Sequence, residues 1–285
     1  MAGNSLHRRG YRIAHVEAPL KENAAAALLY RGGWKEVAET GGCFIDPMCG
    51  SGTLVIEAMM MAANIPPAFD RNYFCFKNWN GFNRGLWEKL RQEATEKITQ
   101  SIPSVPNMYG FDCNTDAVDS ARKNTSKAFS MFPELLEKVH ISKKEIHKLC
   151  IPEGAGDKPG FIGVNPPYGE RLGEIAELQT LYADMGNIFK ERFDGWKGIF
   201  ITGDEELARK TGLKATKVNK IYNGPIECIS AAFSINSAYR EEHEYTLSDA
   251  AQMFANRIAK NMKQYSKIAR RQGVTSYRIY DADMP

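Results

Sequence analysis

The sequence has no closely spaced pair of cysteines. Disulfide frameworks and structural zinc sites both need paired or clustered ligands, and here no CxxC motif occurs and no histidine cluster lies beside a cysteine. We therefore expect reduced thiols and no metal centre. The six cysteines stand singly at Cys43, Cys49, Cys75, Cys113, Cys150 and Cys228.

Long hydrophobic runs are also lacking. The longest apolar stretch extends from Leu54 to Ile65 and is interrupted by Glu57 and Asn64, whereas a helix that spans a membrane needs about 20 consecutive apolar residues. The first residues are polar and basic, unlike the apolar segment of a secretory signal peptide. The sequence predicts a cytoplasmic protein without a membrane partner.

Neither sign of charge dominates. The 285 residues include 37 Lys and Arg against 34 Asp and Glu, a formal net charge of +3, which is too small to indicate nucleic-acid binding through bulk charge. The hydrophobic fraction of 43% and the charged fraction of 25% exclude a disordered, collagen-like or coiled-coil chain. The length predicts one large domain, or one domain with part of another.

Short apolar runs alternate with helix-like segments along most of the chain. This alternation predicts parallel strands joined by helices, and Asn223-Gly224 between two β-rich runs predicts a final antiparallel hairpin. We expect an α/β fold with a mostly parallel seven-stranded sheet. The predicted strands are 43–46, 108–112, 139–142, 160–164, 197–202, 214–222 and 226–235.

Two segments do not fit the alternation. The opening segment with Arg8, Arg9 and Arg12 predicts an exposed polar arm, which either contacts phosphate or has no binding role. Residues 64–85 are rich in Pro, Asn, Gly and aromatic residues and predict a long surface insertion with its own aromatic cluster.

A glycine loop follows the first predicted strand. That strand ends at Asp46, Gly50 and Gly52 come next, and a helix begins near Thr53. Glycines let the backbone approach a ligand closely, and the first amides of the helix can donate to a carboxylate. The loop fits the methionyl end of S-adenosylmethionine (SAM), because it lacks both the Walker lysine and the third glycine of the dinucleotide motif. A tight turn without a ligand is the alternative.

Two further polar positions follow predicted strands. Asp112 ends the second strand, where a carboxylate can accept from ribose hydroxyl groups or cap a helix. Asn165-Pro166-Pro167-Tyr168 follows the fourth strand. An exocyclic amine of guanine, adenine or a glutamine side chain is a poor nucleophile, and the Asn165 oxygen with the Pro166 carbonyl can hold both of its hydrogens. Tyr168 can stack on a base that has left its helix.

Four motifs together resemble a known family. DPMCGSG (46–52), NPPYGERLG (165–173), SLHRRGYR (5–12) and EAPLKEN (17–23) are similar to the THUMP-associated RNA guanine-N2 methyltransferases, and most similar to the 23S rRNA-modifying segment of the bifunctional bacterial enzymes. The resemblance implies a Rossmann-like class I SAM-dependent methyltransferase that acts on the N2 amine of a guanine in 23S rRNA or its precursor. SAM is the implied cofactor.

The resemblance also implies roles for residues at matching positions. Pro19 to Lys21 would lie near the methionine moiety, Asp112 at the ribose, and Glu145, where the family usually has an aspartate, near the adenine amine. The implied cofactor contacts are Pro19, Leu20, Lys21, Asp46, Pro47, Cys49, Gly50, Gly52, Thr53, Asp112, Cys113, Glu145 and Asn165. The target amine would be held by Asn165, Pro166, Pro167 and Tyr168.

The domain organisation follows from the same resemblance. We expect a methyltransferase domain over residues 1–240, then a basic helix or linker and the start of a truncated second domain over 241–285. The RNA-binding THUMP domain and the second methyltransferase domain of the family would lie outside this chain. Three alternatives remain: an N6-adenine-specific DNA methyltransferase, a protein glutamine methyltransferase, and a non-catalytic RNA-binding module.

Overall fold

The computed structural model describes residues 7–14, 20–168 and 175–236, together with residues 253, 257, 258, 260–262 and 265. The chain divides into two compact units, Met1–Ser237 and Ala238–Pro285, and the first unit contains the sheet. Pro19 and most of the predicted basic helix over 247–271 lie outside the described residues. Within the described part, no helix combines the length and apolar character needed to cross a membrane.

The sheet confirms the predicted α/β fold. It has seven strands in the order β3-β2-β1-β4-β5-β7-β6. Strands β1 to β5 pair in parallel, and β7 pairs antiparallel with both β5 and β6. The strands are β1 (Phe44–Asp46), β2 (Met108–Asp112), β3 (Val139–Lys143), β4 (Phe161–Val164), β5 (Lys197–Thr202), β6 (Ala215–Asn223) and β7 (Ile226–Ser234).

Helices cover both faces of the sheet. Several begin at a side chain that accepts hydrogen bonds from the first amides, such as Asn114 before α5 and Asp204 before α8, which is the preferred chemistry for this position. The helices are α1 (Glu22–Gly32), α2 (Trp34–Glu39), α3 (Thr53–Ala62), α4 (Arg84–Ser101), α5 (Thr115–Ala128), α6 (Pro133–Leu136), α7 (Ile175–Arg192) and α8 (Glu205–Lys210).

Two hydrophobic clusters, one on each face, hold the layers together. Successive residues of a strand point to opposite faces, and the short strand β1 divides in this way. Phe44 packs with Trp34 and Phe161 on the face of α1 to α3, with ring centroids 5.2 and 6.1 Å away. Ile45 joins the cluster that contains Phe189 of α7. Because β1 is buried on both faces, its carboxyl end is fixed in position.

The segment 64–85 forms a surface insertion with an aromatic cluster, as the sequence predicts. Two of its rings pack on Trp87 of α4, with the Phe74 and Phe76 centroids 5.2 and 5.3 Å from that ring. The Lys77 ammonium lies 5.2 Å from the Trp87 centroid. Helix α4 begins at Arg84, so the insertion and the start of this helix form one packed unit.

Candidate functional site

Three predicted polar side chains meet at one edge of the sheet. Asp46 ends β1, Asp112 ends β2 and Asn165 follows β4, and these strands are adjacent and parallel in the order β2-β1-β4. Strand β1 lies at the centre of the parallel strands. The next two strands in the chain, β2 and β3, are added on one side of it, and β4 and β5 are added on the other. In open α/β sheets, ligands bind at the carboxyl ends of the strands where the order reverses in this way.

Asp46 is a buried acid at the centre of this edge. Its side chain is 1% exposed, and Oδ1 accepts a hydrogen bond of 3.1 Å from the Met48 amide. Burial raises the pKa of Asp46 well above its usual value, and the nearby Asp112 raises it further, against the Met48 hydrogen bond. Among the described residues, no lysine, arginine or histidine forms an ion pair with it. A buried carboxylate without a counterion suits a cationic ligand group.

The glycine loop is fastened to the end of β2. The Cys49 amide donates to the Phe111 carbonyl over 2.8 Å, and the Gly50 amide donates to Asp112 Oδ2 over 2.9 Å. Gly52 precedes α3 with φ +82°, and a Cβ there would lie 3.2 Å from the Ala121 Cβ. The backbone conformation strongly favours glycine at Gly52, and a side chain there would also lie tight against Ala121.

Asp112 has both carboxylate oxygens engaged and room to accept more. Oδ1 accepts from the Asn114 amide over 2.9 Å and Oδ2 from Gly50. Each carboxylate oxygen has two lone-pair positions, so one position on each oxygen remains for a ligand hydroxyl. The next residue, Cys113, is exposed.

Glu145 lies past the carboxyl end of β3 and points to the surface. Its carboxylate forms an ion pair of 3.0 Å with Lys148, and this hydrogen bond lowers the pKa of Glu145. A contact with an adenine amine would have to compete with Lys148, and this assignment stays a prediction.

Asn165 contributes a buried hydrogen-bond acceptor to this edge of the sheet. Its Oδ1 is the buried side-chain polar atom that lacks a hydrogen-bond partner within the described part of the chain. Buried polar atoms are nearly always paired in folded proteins, so an unpaired one calls for an explanation. The oxygen is buried, so a ligand amine would supply the missing donor only after the residues that cover the oxygen have moved.

The residues after Asn165 are held from two sides. The exposed Pro167 accepts a hydrogen bond of 3.3 Å on its carbonyl from the Tyr182 hydroxyl, while Pro166 is buried. Tyr168 is half-buried, and a Cβ on Gly203 would lie 3.2 Å from its ring. These contacts restrain Pro167 and Tyr168 within the protein itself.

The opening arm is only partly exposed, which corrects one expectation from the sequence: Arg8 is exposed, whereas the side chains of Arg9 and Arg12 are 9% and 12% exposed. Arg12 donates to the Leu20 carbonyl over 2.7 Å and to Thr53 Oγ1 over 3.1 Å, and it forms an ion pair of 3.4 Å with Glu22. It thereby joins the segment before α1 to the start of α3. Arg9 and Tyr11 likewise bind the buried Glu57 of α3. Arg9 and Arg12 therefore stabilise the fold and are not available to bind phosphate.

A sequence signal for this network did exist. Glu22 and Glu57 lie in the apolar helices α1 and α3 and are both buried. Acidic residues are almost never fully buried without a partner. A lone acid on an apolar helix therefore predicts a buried cation elsewhere in the chain, although not which one.

Arg12→Leu is expected to destabilise the domain by about 3 kcal/mol, because Glu22 stays buried without its cation. The double variant Arg12→Leu/Glu22→Leu removes both charges and should recover the part of that loss that comes from the unpaired Glu22, although not the part from the hydrogen bonds of Arg12 to Leu20 and Thr53. Urea unfolding measures both effects, with Arg8→Leu, a change at an exposed arginine, as the control. Equal losses in the single and double variants would show that the ion pair is not the cause.

Comparisons with known proteins identify the family and the fold. The sequence model of the UPF0020 family, described as RMKL-like, methyltransferase domain, matches residues 9–232. The proteins named "Ribosomal RNA large subunit methyltransferase K/L" from Syntrophotalea carbinolica and Allochromatium vinosum are each 42% identical to the chain over its whole length. The chain spans 40% and 39% of these two relatives.

Solved structures share the fold. SMU.472, crystallised in complex with SAH, is 34% identical with a TM-score of 0.69, and the match covers 82% of this chain and 57% of that one. A Listeria monocytogenes protein described as a predicted N6-adenine-specific DNA methylase is 30% identical with a TM-score of 0.67, covering 82% and 56%.

Proposed function

The chain belongs to the RMKL-like methyltransferase domain family, and on that premise we propose that it transfers a methyl group from SAM to the exocyclic N2 amine of a guanine in 23S rRNA. The fold is that of SAM-dependent methyltransferases, and SAM is its cofactor. Asn165 Oδ1, which has no hydrogen-bond partner among the described residues, is the observation that carries the proposal, because an acceptor at this place is what a poorly nucleophilic amine needs.

The residues present fit SAM. The buried Asp46, which has no cationic partner among the described residues, suits the α-ammonium group of the methionine moiety, and Asp112 has acceptor positions for ribose hydroxyls. The amides at the start of α3 face the same edge and suit the methionine carboxylate. Leu20 and Lys21 would flank the methionine moiety, and Glu145 the adenine amine. SAM supplies an electrophilic methyl group on a sulfonium, and the protein has to provide position.

The Asn165 motif would position the amine. Asn165 Oδ1 and the Pro166 carbonyl accept the two amine hydrogens, which directs the nitrogen lone pair toward the methyl group. Tyr168 offers a ring face on which the base can stack. No group with a shifted pKa is needed as a base, since the amine becomes acidic once it is methylated, and positioning alone can supply a large share of the rate.

An adenine amine is the second candidate target. The same acceptor would hold the N6 amine, and the Listeria monocytogenes neighbour is described as a DNA methylase. We favour rRNA because the relatives named as large-subunit rRNA methyltransferases match the whole chain at higher identity, 42% against 30%.

The decisive experiment identifies the methylated atom. The protein is incubated with labelled SAM and, separately, with protein-free 23S rRNA, duplex DNA and a release factor, and the product is analysed by mass spectrometry. We expect label on guanine N2 of the rRNA. Label on adenine of DNA, or on a glutamine of the release factor, would reject the proposal, and no transfer to any of the three by a protein that binds SAM would favour the non-catalytic module.

The proposal extends to the domain organisation. Residues 1–240 would be the catalytic domain and 241–285 a linker with the start of a second domain, in a cytoplasmic protein that relies on further domains to bind RNA. We expect the chain to bind SAM but to methylate 23S rRNA more slowly than its full-length relatives do. Equal turnover by the chain and by the Syntrophotalea carbinolica relative would contradict this dependence.

A further inference from the structure

Asn223 connects two parts of the candidate site that are distant in sequence. It is the last residue of β6 and is 8% exposed. Its Nδ2 donates to the Tyr168 hydroxyl oxygen over 3.2 Å, and its Oδ1 accepts from the Lys21 amide over 3.4 Å. A backbone amide can only donate, so the side-chain oxygen has to face Lys21 and the amino group has to face Tyr168.

The hairpin itself does not need this side chain. The sequence predicts Asn223-Gly224 as the turn, but Asn223 still pairs with Ile226, and the turn consists of Gly224 and Pro225. Gly224 adopts the positive φ, +69°. The side-chain amide of Asn223 is therefore not needed for the turn and can bond to residues of the candidate site.

We propose that Asn223 is a positioning residue that holds Tyr168 at a fixed place relative to the cofactor side of the site. This inference rests on the proposed function, in which Lys21 lies beside the methionine moiety and Tyr168 stacks on the target base. Methyl transfer needs the amine and the methyl group in line at close range, and a small misplacement costs much of the rate. One amide that bonds to both partners couples the two positions directly.

The surroundings of Tyr168 support this role. Cys228 Sγ lies 3.9 Å from the same hydroxyl, and the ring rests against Gly203. Burial raises the pKa of Tyr168, and the hydrogen bond from Asn223 opposes that rise. The hydroxyl thus stays neutral and accepts from Asn223, and without that donor the ring would lose its polar anchor on β6.

A double-mutant cycle tests the coupling. Asn223→Ala should lower kcat about tenfold, as expected for one lost positioning hydrogen bond, with the Kd for SAM changed less than about threefold. In a Tyr168→Phe background the same change should cost less than about twofold, because the hydroxyl that it anchors is already absent. Asn219 lies on the same strand, β6, and its side chain accepts from Arg31. Asn219→Ala is therefore the matched control and should leave kcat unchanged.

A second variant and a second measurement cover other outcomes. Asn223→Asp keeps one oxygen that can accept from the Lys21 amide and a second oxygen to which the Tyr168 hydroxyl can donate. It should therefore recover most of the activity, and it can be measured even if Asn223→Ala does not fold. With 3-fluorotyrosine incorporated, the ¹⁹F resonance of Tyr168, assigned by its absence in Tyr168→Phe, should shift or broaden in Asn223→Ala but not in Asn219→Ala. This measurement requires no substrate, so it remains decisive where the wild type fails to methylate rRNA. An unchanged resonance, or equal losses of kcat in both backgrounds, would overturn the proposal.

Discussion

Asn165→Ala is expected to reduce methyl transfer by about 100- to 1000-fold, the usual effect of removing one preorganised polar contact to a reacting group. The buried Oδ1 has no donor within the described protein, so its removal breaks no internal hydrogen bond. The target amine, by contrast, loses its acceptor and its fixed direction. Transfer of label to 23S rRNA at saturating SAM measures the loss.

The same variant should still fold and bind SAM. Deleting an unpaired buried acceptor removes a desolvation cost, so the free energy of unfolding should stay equal or rise. The Kd for SAM should change less than about threefold, because the residue acts on the amine in the proposed reaction. Asn107→Ala, which changes an exposed hydrogen bond to the Gly154 carbonyl, is the control. Loss of SAM binding together with transfer would mean that Asn165 belongs to the cofactor pocket instead.

The convergence of the site could be predicted from the sequence because it depends on local patterns. Each of Asp46, Asp112 and Asn165 ends or follows a recognisable apolar strand, and parallel strands place their carboxyl ends at one edge. Strand order was the remaining condition, and the order β2-β1-β4 brings the three together. The roles of these three residues stay predictions, since the fold determines where their side chains lie and does not determine which ligand they bind.

The contacts that support the site could not be predicted, because they join residues far apart in the chain. Arg12 and Thr53 are 41 residues apart, and Lys21 and Asn223 are 202 apart. Locally, Arg12 belongs to a polar arm and Asn223 to a turn dipeptide, and nothing in either segment specifies its partner. Polar residues whose function depends on tertiary contacts show no periodic pattern in the local sequence that would reveal them.

Asp46→Asn is expected to weaken SAM binding about 100-fold and, at the same time, to stabilise the protein without ligand. A charged group removed from a buried pair with a ligand ammonium costs about 2–5 kcal/mol of binding free energy. Without ligand the same carboxylate is buried with no counterion among the described residues, and asparagine keeps the oxygen that accepts from the Met48 amide. The gain in stability should be about 1–3 kcal/mol, or at least about 2–4 °C in Tm for a domain of this size.

The gain in stability of Asp46→Asn should depend on pH, and the burial of Asp46 determines whether that gain grows or shrinks as the pH rises. The folded state raises the pKa of Asp46, so the folded protein holds this proton more tightly than the unfolded chain. The contribution of Asp46 to stability is full below the unfolded value of about 4 and is lost as the pH rises through the folded pKa. Asparagine has no proton to lose, so the Tm of Asp46→Asn relative to wild type should increase from about pH 4 to about pH 8.

Thermal unfolding across that range and SAM titration at neutral pH measure the two effects in one pair of proteins. Asp157→Asn removes the same charge from an exposed position and should change the free energy of unfolding by less than about 0.5 kcal/mol. In the proposed function, an ammonium that neutralises Asp46 would offset the cost of an acid that has no cationic partner among the described residues. An Asp46→Asn protein that binds SAM normally, or that is less stable than wild type at about pH 8, would show that Asp46 has a structural role instead.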